Sequence, residues 1–128
     1  MKSWLIAVLL VGCVFGADFE WRDYKSGLEE AQKRNLPILI MVSQKNCITC
    51  EYMDDVAFED ENLADYVENF WVPVKIDINE AKKLGFRVYG TPTFYFLTKD
   101  GKKFARPVAG GANAKVFLQK LKEVKNGL

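Results

Sequence analysis

The chain has 128 residues, of which 49% are apolar, and it carries 18 basic and 17 acidic side chains. This length suffices for one domain with a buried core, and the balanced charge gives no indication of binding to nucleic acid or to an acidic membrane surface. The sequence contains no histidine, which excludes a Cys/His zinc site and a Cys–His nucleophile.

Residues 1–16 have the features of a secretory signal peptide. Lys2 precedes an apolar run over residues 4–11, and Val14-Phe15-Gly16 fits a cleavage pattern. The apolar run is short for a membrane span. We therefore expect a mature domain over residues 17–128 that works in the periplasm or outside the cell, where disulfides persist. An uncleaved membrane anchor is the alternative.

Cys13 lies inside this leader. Residues 10–13 resemble the lipobox of bacterial lipoproteins, in which the leader would end at Gly12 and Cys13 would anchor the protein through a lipid. The apolar run continues past Cys13, which favours an incidental cysteine instead. In either case the mature domain keeps two thiols that can pair with each other.

The first half of the domain alternates predicted strands and helices. A short edge strand is expected near residues 19–21. Ser26 and Glu29 match a capping box, which predicts a helix from an N-cap at Ser26 to about Arg34. The continuous apolar run Ile38–Val42 is typical of a central strand that is covered on both faces.

The second half continues the alternation. A helix is predicted to begin at the cysteines, with an apolar side that contains Tyr52, Met53, Val56 and Ala57, and a further helix restarts near residues 60–62. The later elements are a strand over 71–78, a helix over 80–86, a hairpin of strands 94–97 and 103–106 with an Asp-Gly turn, and a helix over 112–124. This order predicts an α/β fold around a mixed sheet.

Cys47 and Cys50 are separated by two residues at the junction of the strand Ile38–Val42 and the following helix. A helix N-terminus presents unpaired N–H groups and a partial positive charge, which stabilise a thiolate. A thiolate is the attacking species in disulfide exchange, and a second thiol one turn later can resolve the mixed disulfide. The pattern predicts a thiol–disulfide oxidoreductase.

The chain resembles the thioredoxin superfamily over nearly the whole mature region. The Cys-x-x-Cys pair is followed, about forty residues later, by Thr91-Pro92-Thr93 at the head of a strand. The resemblance implies a thioredoxin-like fold, with a central mixed β-sheet flanked by helices on both faces. It also implies that Cys47 is the exposed nucleophile and Cys50 the shielded resolving thiol, joined as a redox-active disulfide that needs no organic cofactor or metal. Pro92 would follow a cis bond, and Thr91 would offer its backbone to a bound peptide.

Within the superfamily, the chain is most similar to the C-terminal domain of DsbD and to SoxW-type periplasmic thioredoxins. The similar segments are residues 36–40, 58–60 and 106–110. This resemblance implies protein thiols and disulfides as partners, together with a membrane electron donor of the DsbD/CcdA type, and we expect a monomer.

The sequence departs from the family pattern beside the cysteines. Asn46 replaces a frequent Trp, and Met41 stands where thioredoxin has a buried Asp that helps to deprotonate the resolving thiol. Glu51 and Lys75 are the remaining candidates for proton transfer or tuning. Glu51 is also explained as an exposed helix residue favoured by the dipole, and Lys75 as a polar residue at a strand end. Among the aromatic residues, only Tyr89 is expected to line the surface near Thr91.

The residues between the cysteines, Ile48 and Thr49, carry no charge, so they add nothing to the stabilisation of the thiolate. Because strong oxidants depend on a strongly stabilised thiolate, this favours a reductant or an exchanger, and a dedicated reducer of apocytochrome cysteines would share the chemistry. The alternative from another class is a non-catalytic peptide-binding module in which Cys47–Cys50 is a structural disulfide.

Overall fold

The computed structural model describes residues 19–128. The predicted leader, with Cys13, lies outside these residues. In chain order the elements are α1 (Tyr24–Arg34), β1 (Ile38–Ser43), α2 (Ile48–Tyr52) continued by a π-helical turn (Met53–Ala57), α3 (Glu61–Phe70), β2 (Val72–Asp77), α4 (Ile78–Lys83), β3 (Thr93–Leu97), β4 (Val108–Ala109) and α5 (Ala114–Asn126). None of these helices is both long enough and apolar enough to span a bilayer.

The four strands form one mixed sheet in the order β2-β1-β3-β4. Strand β1 is parallel to β2 and antiparallel to β3, and β3 is antiparallel to β4. Residues Ile38–Val42 are fully buried, because β1 lies between two strands and both of its faces are covered. The continuous apolar run therefore predicted the central strand correctly.

Two apolar clusters cover the two faces of the sheet. Leu39 and Met41 join a cluster with residues of α2, the π turn, α3 and α5. Ile38, Ile40 and Val42 point to the opposite face, where the second cluster includes residues of α1 and α4. The predicted α/β fold with helices on both faces is confirmed.

Helix α1 begins earlier than predicted. Its N-cap is Asp23, whose carboxylate accepts a hydrogen bond from the Ser26 N–H at 2.8 Å, so Ser26 lies inside the helix. The helix ends as predicted at Arg34, where Asn35 takes a left-handed conformation. Gly27 faces the sheet, and a Cβ there would lie 2.2 Å from Val74 Cγ2. The glycine thus lets α1 approach β2 closely.

The segment before α1 lies against the outer edge of β2, but it is not a strand over residues 19–21. Arg22 alone pairs with Val74: its N–H donates to Pro73 O at 2.9 Å and its carbonyl accepts from the Lys75 N–H at 3.1 Å. The Arg22 guanidinium also binds Glu30 at 2.9 Å and Glu68 at 2.7 Å. Arg22 thereby joins this segment to α1 and to α3.

Two further predictions are corrected in the second half of the chain. Helix α4 begins at Ile78, immediately after its N-cap Asp77, and ends at Lys83 rather than extending over 80–86. The predicted strand over 103–106 makes only an isolated bridge, Leu97 to Lys103, and the regular partner of β3 is Val108–Ala109. Pro107 has no N–H for a ladder, which explains the interruption.

Candidate active site

Cys47 is the N-cap of α2. Its Sγ accepts a hydrogen bond from the Cys50 N–H at 3.1 Å, while its carbonyl accepts from the Glu51 N–H at 3.0 Å. The Cys47 sulfur therefore caps the helix by accepting from the Cys50 N–H, an otherwise unpaired group of the first turn. In the reduced protein this N–H, together with the positive end of the helix, favours the thiolate of Cys47.

Cys47 is joined to Cys50 by a disulfide, with their Cα atoms 5.2 Å apart. Cys47 is partly exposed, whereas Cys50 is only 3% exposed. Cys50 packs in the cluster that also contains Met41 and Met53. Cys50 therefore packs in apolar surroundings, and Met41 supplies an apolar side chain where the sequence analysis noted a missing Asp. Because Cys47 is the more exposed cysteine, a substrate can reach it before it reaches Cys50.

The loop before β3 lies directly beside Cys47. The Thr91–Pro92 peptide bond is cis, and the carbonyl oxygen of Thr91 lies 3.4 Å from the Cys47 sulfur. Within residues 19–128, the Thr91 N–H makes no hydrogen bond. A peptide extended past Cys47 could therefore pair with the backbone of Thr91 as an added strand.

Hydrogen bonds from two other segments, and one within the loop itself, hold this loop. The Gln44 side-chain amide donates to Thr91 Oγ1 at 2.9 Å, and the Gly110 N–H donates to Pro92 O at 2.8 Å. Thr93 is fully buried, and its hydroxyl donates to Gly90 O at 2.6 Å. Gln44 is a site residue that the sequence analysis missed, because its partner lies 47 residues away.

The predicted residue Lys75 forms an ion pair with Asp54, a second residue that the sequence analysis missed. Lys75 Nζ lies 2.6 Å from Asp54 Oδ2, and Trp21 Nε1 donates to Asp54 Oδ1 at 3.1 Å. Lys75 pairs with Met41 across β1 and β2. Since Val74 and Ile76 point to the opposite face, the Lys75 side chain shares the face that holds Cys50.

Asp54 follows Cys50 by four residues, a spacing that places both on one side of a helix. This spacing was the available sequence signal for Asp54. Lys75 also lines an open cleft of about 280 Å³ with residues of the β1–α2 loop, including Gln44 and Lys45. The ion pair is therefore half-buried and in contact with water on one side.

The other predicted residues lie around the mouth of the site. Glu51 is exposed on the outer side of α2 and makes no salt bridge within the described part of the chain. Asn46 has a φ of 58°, a left-handed conformation that asparagine tolerates better than tryptophan. Tyr89 is 64% exposed, two residues before Thr91, as the sequence suggested.

The apolar side predicted for the active-site helix is partly wrong. Met53 and Ala57 are fully buried, but Tyr52 is 37% exposed and Val56 is 52% exposed. Residues three or four apart share a side of a helix, so Cys50, Met53 and Ala57 form the buried side and Tyr52 and Val56 lie on another side. Residues Met53–Ala57 form a π turn, in which the Phe58 N–H donates to Met53 O at 2.8 Å.

Residues 24–125 match the sequence model of a family described as "Thioredoxin-like domain". Among solved structures, the chain is similar to the DsbH oxidoreductase, with 19% identity, a TM-score of 0.73, and 85% of each chain covered. It is also similar to a thioredoxin from Thermus thermophilus, with 23% identity, a TM-score of 0.73, and 85% of this chain and 88% of that one covered.

The C-terminal domain of DsbD from Neisseria meningitidis, in its oxidised form, has 18% identity and a TM-score of 0.58, and the match covers 81% of this chain and 98% of that domain. These identities are low, so the structural likenesses show a shared fold. No curated protein matches the sequence.

Proposed function

Because this chain belongs to the thioredoxin-like family, we propose that it is a thiol–disulfide oxidoreductase that reduces or exchanges disulfides of protein substrates. The observation that carries the proposal is the position of Cys47. Its sulfur is partly exposed, lies 3.1 Å from the Cys50 N–H at a helix start, and lies 3.4 Å from the Thr91 carbonyl. An attacking thiolate needs the stabilisation that the N–H and the helix start provide, together with the access that exposure provides. The Thr91 carbonyl marks where a substrate backbone could pair.

The reaction starts from the dithiol. The Cys47 thiolate attacks one sulfur of the substrate disulfide and forms a mixed disulfide, while the second substrate sulfur leaves as a thiolate and takes up a proton. Cys50 then loses its proton and attacks the Cys47 sulfur, which re-forms the Cys47–Cys50 disulfide and releases the first substrate sulfur. The substrate gains two electrons and two protons, and a dithiol donor must restore the protein.

The backbone of Thr91 positions the substrate in this proposal. A substrate strand that pairs with Thr91 would bring its own disulfide next to the Cys47 sulfur, because the Thr91 carbonyl already touches that sulfur. The cysteine pair itself supplies all the redox chemistry, so the proposed reaction uses no organic cofactor or metal.

We propose further that the protein acts after secretion, in the periplasm or outside the cell, and that a membrane protein of the DsbD/CcdA type returns electrons to it. The support is the leader pattern over residues 1–16 and the shared fold with the DsbD domain. An uncharged Ile48-Thr49 dipeptide supports the reducing direction.

Insulin reduction tests the catalytic proposal. The reduced protein should reduce insulin disulfides, and Cys47→Ser should abolish this activity while the thermal unfolding curve stays cooperative. Cys50→Ala should accumulate mixed disulfides with its substrates, because the resolving thiol is missing. Activity that persists in Cys47→Ser would contradict the proposal. Absence of insulin reduction by the reduced wild-type protein would instead favour a peptide-binding module with a structural disulfide.

The direction of electron flow is measured separately. Equilibration with glutathione gives the reduction potential of the Cys47–Cys50 pair. A potential near that of thioredoxin, about −270 mV, is expected for a reductant, whereas a value near about −120 mV would identify an oxidant.

A further inference from the structure

The outer side of the active-site helix carries two exposed rows of residues that begin beside Cys47. One row is apolar and the other is acidic. We call them together the outer face of the helix: Ile48, Tyr52 and Val56, with Glu51, Asp55 and Glu59. Ile48 is 83% exposed and Val56 is 52% exposed. Large apolar side chains that are grouped and exposed on one surface are typical of an interaction site.

The two rows exist because residues four apart lie on the same side of a helix. Met53 and Ala57 are buried against the sheet, which leaves Tyr52 and Val56 directed to solvent. The first turn of α2 contributes Ile48 and Glu51 to the same surface. The apolar row is therefore continuous with the entrance to the disulfide.

The charge of this surface is strongly one-sided. Residues 46–74 contain eight acidic residues and no basic residue. Asp54 and Glu68 are paired with Lys75 and Arg22. In contrast, the three acidic residues of the outer face form no salt bridge within residues 19–128, so their charge is available to a partner.

We propose that the outer face docks protein substrates whose disulfide is flanked by Lys or Arg and by an apolar side chain. This inference rests on the proposed function and adds the class of substrate. The substrate backbone would pair at Thr91, on one side of Cys47, while its basic and apolar side chains would contact the outer face on the other side. Charge complementarity favours this occupant, since uncompensated carboxylates raise the encounter rate of basic partners and repel acidic ones.

The experiment compares two cyclic peptides of equal length, each closed by one disulfide. Lys and Leu flank the cysteines in the first peptide, and Glu and Leu flank them in the second. The reduced full-length protein is mixed with each peptide, and the rate constant is obtained by quenched-flow mass spectrometry. The rate constant of the basic peptide is divided by that of the acidic peptide, and this ratio is divided by the same ratio measured with dithiothreitol, a neutral dithiol. The division removes the intrinsic effect of charge on the peptide disulfide and gives the corrected ratio.

The corrected ratio should favour the basic peptide by about tenfold at low ionic strength and fall severalfold at 0.5 M salt, because salt screens exposed charges. The double variant D55N/E59Q should reduce the ratio to about threefold or less. The matched control E29Q/E80Q removes two exposed acidic residues of α1 and α4, and it should keep the wild-type ratio. Glu51 is left unchanged because it adjoins Cys50.

The apolar row is tested with Val56→Ser, which should slow the reaction with the basic peptide about threefold through lost apolar contact. Val116→Ser is the matched control, since Val116 on α5 is 55% exposed. The control should leave the rate constant unchanged.

A corrected ratio near one, or an equal loss in E29Q/E80Q, would overturn the docking proposal. So would a concentration-dependent dimer in sedimentation that D55N/E59Q abolishes, because a second copy would then cover the outer face. Reduction of the neutral disulfide dithiodiethanol separates the two proposals. Absence of that reaction would refute the oxidoreductase itself, whereas its presence without a charge preference would refute only the docking surface.

Discussion

Lys75 and Asp54 place two opposite charges on the sheet face that also holds Cys50. Lys75 Nζ lies 2.6 Å from Asp54 Oδ2, and the apolar Met41 on β1 is the register partner of Lys75. A positive charge near a cysteine favours its thiolate, and a negative charge disfavours it. Removal of either charge should therefore shift the pH at which the cysteines ionise.

The two partners should have opposite effects on the reduced protein. Lys75→Met leaves the Asp54 carboxylate unpaired, so the pH midpoint of Cys47 alkylation by iodoacetamide should rise by about half a unit to one unit. Asp54→Asn leaves the Lys75 cation unpaired and should lower the midpoint by a similar amount. The measurement is the alkylation rate from pH 5 to pH 10, followed by mass spectrometry.

Lys99→Met serves as the control for these variants. Lys99 pairs with Asp100 just beyond the end of β3. The cysteines follow the end of β1, and β1 and β3 are antiparallel, so Lys99 lies at the opposite end of the sheet from the cysteines. This control should leave the midpoint unchanged. Shifts of the same sign in Lys75→Met and Asp54→Asn would show that the ion pair acts through packing and not through charge.

At the scale of elements, the start of α1 shows how two similar capping signals compete. Asp23 and Ser26 are both good N-cap residues, and only Ser26 is followed three residues later by a glutamate. The fold uses Asp23 because the helix must begin directly after Arg22, which pairs with the edge of β2. The Ser26 N–H in turn holds the pKa of the Asp23 carboxyl below its ordinary value.

Substitutions at these two positions should therefore differ. Asp23→Ala should lower Tm by about 3–6 °C, because the Ser26 N–H loses its acceptor. Ser26→Ala should change Tm by about 1 °C or less, since Ser26 is exposed within the first turn. Thermal unfolding followed by circular dichroism measures both, and a larger loss in Ser26→Ala would place the cap at Ser26 after all.

At the scale of the whole molecule, Arg22 joins the start of the domain to α1 and α3. Hydrogen bonds to Glu68 and Glu30 raise the pKa of Arg22, and the Arg22 guanidinium in turn lowers the pKa of Glu30. A carboxyl with a lowered pKa in the folded state adds stability above its unfolded pKa of about 4.3, and this stability is lost as the pH falls through the folded pKa.

The variant Arg22→Gln tests this linkage. It should lower the free energy of unfolding by about 1–2 kcal/mol at pH 7, a value between those of exposed and buried ion pairs. The difference from the wild type should shrink as the pH falls from 5 to 3, because the stability that Glu30 gains from its lowered pKa is lost as Glu30 takes up a proton. Urea titrations of both proteins at pH 7, 5 and 3 measure the difference in the free energy of unfolding.

Lys99→Gln removes an exposed ion pair and should show little change at any of these pH values. A difference between Arg22→Gln and the wild type that is independent of pH would assign the effect of Arg22 to its packing.

The sequence was sufficient for the features that depend on neighbouring residues. The buried run Ile38–Val42 predicted the central strand, and the position of Cys47 and Cys50 after it predicted the start of α2. The resemblance to thioredoxins added the fold and the cis bond before Pro92, which the residues alone do not indicate.

The features that were missed depend on contacts between distant segments. The spacing of Asp54 from Cys50 indicated only that the two residues share a side of the helix. Asp54 meets Lys75 through the register of β1 and β2, which has no local sequence signal. The same holds for Gln44, whose partner Thr91 follows four intervening elements. The exposure of Tyr52 and Val56 was also misjudged, because they were assigned to the same side of the helix as their neighbours Met53 and Ala57.

Both edges of the sheet offer little room for a further strand within the described residues. At one margin Arg22 occupies the outer hydrogen-bonding groups of β2 next to Pro73, and at the other β4 is only two residues long. A long, unpaired edge strand would let identical chains pair side by side and aggregate. Any truncated form that begins after Arg22 would uncover β2, so residues 19–23 protect the edge of β2 against aggregation.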